Sequence, residues 1–80
     1  MPRYHFNLHE CGSVLSDEEG LVLPDDAAAR KNAINEARSI MAAEVRSGKL
    51  CLSCCIDIRR EDGEPVASVL FKDAVSVTGL

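Results

Sequence analysis

Residues 3–9 alternate cleanly, with Tyr4, Phe6 and Leu8 on one side and Arg3, His5, Asn7 and His9 on the other. A period of two is the signature of a half-buried strand. Glu10-Cys11-Gly12-Ser13 reads as a turn, and Val14-Leu15 opens a second strand. The acidic run Asp17-Glu18-Glu19-Gly20 interrupts that strand before Leu21-Val22-Leu23 resumes it. The interruption predicts a bend or bulge at Gly20, since glycine tolerates positive φ.

The period then changes. Asp25 is a good N-cap after Pro24, and Asp26 falls in the first turn, where the helix dipole favours an anion. From residue 27 to about 46 the chain holds strong helix formers without proline or glycine. Ile34, Ala37, Met41 and Val45 form an apolar stripe that Ala33 and Ile40 widen, and Gly48 supplies the stop. Beyond it, Leu52, Cys54, Ile56 and Ile58 alternate with Ser53, Cys55, Asp57 and Arg59, predicting a third strand. Glu61-Asp62-Gly63-Glu64-Pro65 is a turn, and 66–71 is a fourth strand with Ala67, Val69 and Phe71 inward. Residues 75–77 either extend the sheet edge or fray.

The order β-β-α-β-β predicts an α+β fold, a four-stranded and mainly antiparallel sheet with one helix on one face. One helix cannot cover both faces. The other face would carry His5, Asn7, His9, Cys51, Ser53, Cys55, Asp57 and Arg59, a polar surface that water can wet.

Composition changes this picture in three ways. Eighty residues make one domain, 1–80, near the lower limit for an unstapled core. The hydrophobic fraction of 46% argues against disorder, but nine of those residues are alanine and only three are aromatic, so the core is light and assembly is expected. The net charge of −4 and the self-cancelling Arg59-Arg60-Glu61-Asp62 run argue against nucleic-acid binding. Neither a signal peptide nor an apolar run of about 20 residues is present, so the chain is expected in the cytoplasm, away from the membrane, with Cys11, Cys51, Cys54 and Cys55 as reduced thiols.

Several segments carry a resemblance. The opening Met1-Pro2-Arg3-Tyr4-His5-Phe6, the Asp17-Gly20 bend, Leu23-Pro24-Asp25, Ala28-Ala29-Arg30, Ile56-Asp57-Ile58-Arg59 and Phe71-Lys72-Asp73-Ala74 resemble a family of short bacterial proteins, a domain of unknown function. The resemblance implies the same order of elements and no assigned activity, and the cysteines at 51, 54 and 55 depart from its pattern. More distantly, the hairpin and alanine-rich helix are similar to the sheet-and-helix domain of HicB-type antitoxins. Their separate DNA-binding segment has no counterpart before Leu80, so DNA binding is not implied.

Candidate chemistry is sparse. His5, His9, Cys51 and Cys55 would share the open face and offer zinc-type ligands. Within a strand, however, Cys51 and Cys54 point to opposite faces, so the apparent CxxC cannot close on one metal. A redox reading is weaker, because a reactive CxxC sits at a helix N-terminus and this one lies at a strand entry. Pro2, after loss of Met1, resembles the N-terminal-proline general base of tautomerases, with Arg3 and Arg59 as candidate cations. The acidic stretch 17–19 with Asp25 and Asp26 lacks the alternate-residue oxygen spacing of a calcium loop. No cofactor is implied. The reading that remains is a non-catalytic interaction module, a homodimer or a partner for another protein. Its contact would run through the outer residues of the fourth strand, Val66, Ser68 and Leu70.

Overall fold

The structure, a computed structural model, describes residues 1–10 and 12–79. Its elements are β1 (Arg3–Glu10), β2 (Ser13–Leu15), β3 (Leu21–Val22), α1 (Asp26–Arg46), β4 (Cys55–Arg60), β5 (Pro65–Leu70) and a single helical turn α2 (Phe71–Ala74). The sheet is antiparallel in the order β2-β1-β4-β5, with β3 pairing β1 on the same side as β2. The expected second strand is therefore two short ones, which makes the sheet five-stranded. The acidic loop between them is the predicted bend. Gly20 sits there at φ +73, and a Cβ at that position would lie 2.8 Å from the Tyr4 carbonyl oxygen, so only glycine fits.

The helix starts and stops where its sequence dictates. The Asp25 carboxylate accepts from the Ala28 N–H at 2.8 Å. At the other end Gly48 (φ +90) donates to Val45 and Lys49 donates to Glu44, the paired bonds of a Schellman cap. The buried residues of α1 are Ala29, Ala33, Ala37 and Met41. The small ones let the helix sit close to the sheet, whose buried Tyr4, Phe6, Ile56, Ile58 and Val69, with Phe71 of α2, supply the bulk.

Four expectations need correction. Val45 is 59% exposed, because 21 helical residues run about 32 Å and overshoot strands of six to eight residues. Ile34 is only half-buried, one position off the alanine stripe that faces the sheet. The fourth strand ends at Leu70, because Phe71 begins α2, and residues 75–79 form no strand. The third strand begins at Cys55 rather than Leu52: residues 51–54 are a bend in which Cys51 and Cys54 are joined as a disulfide. The opposite-face argument for those two cysteines fails because it assumed strand geometry there, and with it falls the expectation that all four cysteines are thiols. Cys55 is free, and Cys11 lies outside the described residues.

Candidate functional site

With the helix on one side, the alternate residues of β1 and β4 line the open face. The register sets His5 opposite Arg59, Asn7 opposite Asp57, and His9 opposite Cys55. Val14 beyond His9 and Leu70 beyond Cys55 extend the last pair into a row across the sheet, and Ser68 stands beside Asp57.

Most polar groups of this face bind one another. Arg59 Nε donates to Asp57 Oδ2 at 2.7 Å and an Arg59 terminal nitrogen donates to the Gly63 carbonyl at 3.2 Å. The Ser68 hydroxyl reaches Asp57 at 3.4 Å. His5 Nδ1 lies 2.7 Å from the Asp17 carbonyl, which can only accept, so that nitrogen carries a proton. Its Nε2 lies 3.4 Å from Glu61, an ion pair that exists only when the ring is protonated.

Asp17 is the residue the sequence reading missed. β3 pairs with Arg3 and Tyr4, and β2 with Leu8, His9 and Glu10, leaving the middle of β1 with no strand on that side. Asp17 fills the gap. Its carboxylate accepts from the Phe6 N–H and the Gly20 N–H, both at 3.1 Å, while its own N–H donates to Asn7 Oδ1 at 2.9 Å. A side chain thus replaces a missing ladder bond. The signal available in the sequence was an Asp three residues before a glycine inside a broken strand. Behind the loop lies a 390 Å³ groove lined by Leu8, Leu15, Ile40 and Glu36 among others. Burial there, and then the charge of Asp17, push the Glu36 carboxyl above its ordinary value.

A second cluster ties the helix start to the sheet. The Tyr4 hydroxyl donates to Asp26 at 2.7 Å and Arg60 donates to the other Asp26 oxygen at 2.8 Å. The Tyr4 hydrogen bond, followed by that of Arg60, holds the Asp26 carboxyl below its usual range despite opposing burial. Burial and the Asp26 carboxylate push the Tyr4 phenol up.

The predicted site residues therefore separate. His9 and Cys55 are neighbours and His5 shares their face, but Cys51 lies outside the sheet, bonded to Cys54. Among the described residues no three His, Cys, Asp or Glu side chains gather to hold a metal ion. Near Pro2 the cations are already engaged: Arg60 with Asp26, and Arg3 with Glu61 at 3.3 Å and the Glu19 carbonyl at 2.9 Å. Arg59 is held by Asp57, away from the groove that Pro2 lines with Arg3, Arg60, Glu61 and Asp62. Of the three contact candidates, Leu70 is 37% exposed and Ser68 is exposed, whereas Val66 is half-buried against the core beside the bulge of β5. No helix is long and apolar enough to cross a membrane.

This arrangement defines a small α+β domain with an open sheet. The chain belongs to the family described as Domain of unknown function (DUF6894), which matches residues 3–72. No curated protein and no solved structure matches it.

Proposed function

We propose that the domain is a non-catalytic interaction module that assembles with a second copy of itself through the outer edge of β5. The observation that carries this is the edge itself. Six residues from Pro65 to Leu70 contain no charge, and among the described residues the strand pairs with β4 alone. Pro65 and the bulge at Val66 blunt its first residues, but the uncharged run from Ala67 to Leu70 is a template for another strand. Self-pairing in the antiparallel sense is isologous, so the same six residues serve both partners and a two-fold axis closes the assembly. Leu70 and Ser68, on the open face next to the edge, would meet their copies, while Val66 stays with the core. The light core supports the same reading, since four of its twelve buried residues are alanines.

Light scattering at micromolar concentration is expected to give about twice the chain mass. Leu70→Lys puts a charge beside the edge and should halve that mass with circular dichroism unchanged. A wild-type mass equal to one chain at every concentration would end the proposal.

A further inference from the structure

We infer that Cys51 and Cys54 form a reversible thiol–disulfide exchange site, with Cys51 the sulfur that external thiols attack and Cys54 the sulfur that leaves and returns. The two are bonded across four residues, with their Cα atoms 6.0 Å apart, inside the range a disulfide requires. Their exposure differs sharply: Cys51 is half-buried, and Cys54 is 2% exposed. An incoming thiolate therefore meets Cys51 more readily than Cys54.

Both cysteines line a 290 Å³ groove together with Glu10, Glu44 and Lys49. Glu44 Oε1 is buried without a hydrogen-bond partner, and its residue lines the same groove. The frame is fixed on both sides. The Schellman cap ends α1 at Gly48, and the Phe71 N–H holds the Cys54 carbonyl at 2.9 Å. An opened pair thus stays close, and re-closure is intramolecular.

The partner is a low-molecular-weight thiol. Its thiolate attacks Sγ of Cys51; a mixed disulfide forms as the Cys51–Cys54 bond breaks, and the electron pair leaves on Cys54, which takes a proton from water. A second thiolate attacks the external sulfur of the mixed disulfide, expelling Cys51, which is protonated in turn. In sum, two external thiols become one disulfide and the Cys51–Cys54 disulfide becomes a dithiol; the reverse sequence closes it.

The test incubates the full chain with mixtures of reduced and oxidised glutathione, quenches by alkylation and locates adducts by peptide fragmentation. Expected are full interconversion with circular dichroism unchanged, and a glutathione adduct on Cys51 in Cys54→Ser. The adduct on Cys54 in Cys51→Ser should form at least about tenfold more slowly. Alkylation of the reduced wild type, which needs no variant, should favour Cys51 over Cys54 by a similar factor. Reduction only under conditions that unfold the chain, or equal labelling of the two sulfurs, would overturn the inference. The β5 edge has no part in this chemistry, so exchange should persist in the Leu70→Lys variant.

Discussion

Along one edge of the sheet, β2 and β3 offer only three and two residues, separated by an acidic loop whose Asp17 caps the Phe6 N–H between them. Along the other, β5 runs six residues without a charge, irregular at the Val66 bulge. Both edges carry exposed apolar side chains: Val14, Leu15, Leu21 and Val22 on the first, Leu70 on the second. The first edge is the more apolar of the two, yet it is the poorer template. A strand added there would find its partner interrupted in the middle and flanked by Asp17, Glu18 and Glu19. Availability of the backbone, more than hydrophobicity, separates the edge proposed to recruit a strand from the edge that is interrupted.

Breaking the guarded edge should give the largest effect. Gly20→Ala drives a methyl group against the Tyr4 carbonyl and demands a positive φ from a residue that resists it. A loss of about 2–4 kcal/mol is expected, lowering Tm by roughly 10 °C or more in calorimetry. A variant that melts like wild type would mean the loop can move away from β1 at little cost.

Asp17→Ala tests the same edge from the side-chain end. It strips the Phe6 and Gly20 N–H groups of their acceptor and should cost about 1–3 kcal/mol. It also unblocks the middle of β1, so light scattering should show species larger than the wild-type assembly. Destabilisation with an unchanged mass would leave Asp17 a loop anchor and deny it the guarding role.

How far the two edges were legible in the sequence follows from the range of the forces that make them. Asp25 and Gly48 act on their immediate neighbours, so the helix ends could be read directly. Gly20 marked the break because positive φ is a one-residue property. Asp17 could not be assigned, because its role depends on the gap that β2 and β3 leave opposite β1, a relation between three segments. The stretch from Leu52 to Cys54 misled for the converse reason: its alternation continues in phase with β4, and periodicity alone does not mark where pairing begins. Pairing of Cys51 with Cys54 was hidden by that same phase. Among the strand-four residues, Ser68 and Leu70 followed the alternation, but the shift between Ile58 and Arg59 put Val66 against the core, and nothing local announces that irregularity.

On the open edge, guarding can be added instead of removed. Ser68→Lys places a cation on the exposed face of β5, where the only hydrogen bond lost is the 3.4 Å contact to Asp57. Monomer stability should change by about 0.5 kcal/mol or less in urea titration, while the assembled mass falls to one chain. Together with Asp17→Ala it makes the comparison symmetric, one edge opened and the other closed. Persistence of the dimer in Ser68→Lys would move the contact away from β5.

The smallest effect is expected where the guarded edge carries its own penalty. Glu36 lies in the groove behind the acidic loop, and its carboxyl titrates above the ordinary value chiefly because burial disfavours its charge, with the Asp17 carboxylate adding to the effect. A carboxyl whose folded value is raised binds more protons in the folded state. Its contribution is therefore complete below the unfolded value and is lost as pH rises through the folded one. Above the folded value that contribution is gone. Glu36→Gln removes the charge and should raise Tm slightly at pH 7, with the gain shrinking as pH falls and the native carboxyl is protonated. Because burial outweighs the Asp17 charge, added salt should leave most of that gain in place. A gain that vanished in high salt would reverse the order of the two causes and make repulsion from Asp17 the dominant one. A variant less stable than wild type at pH 7 would instead show that the 3.4 Å contact from Asn32 to Glu36 matters more than the partial desolvation of the carboxylate.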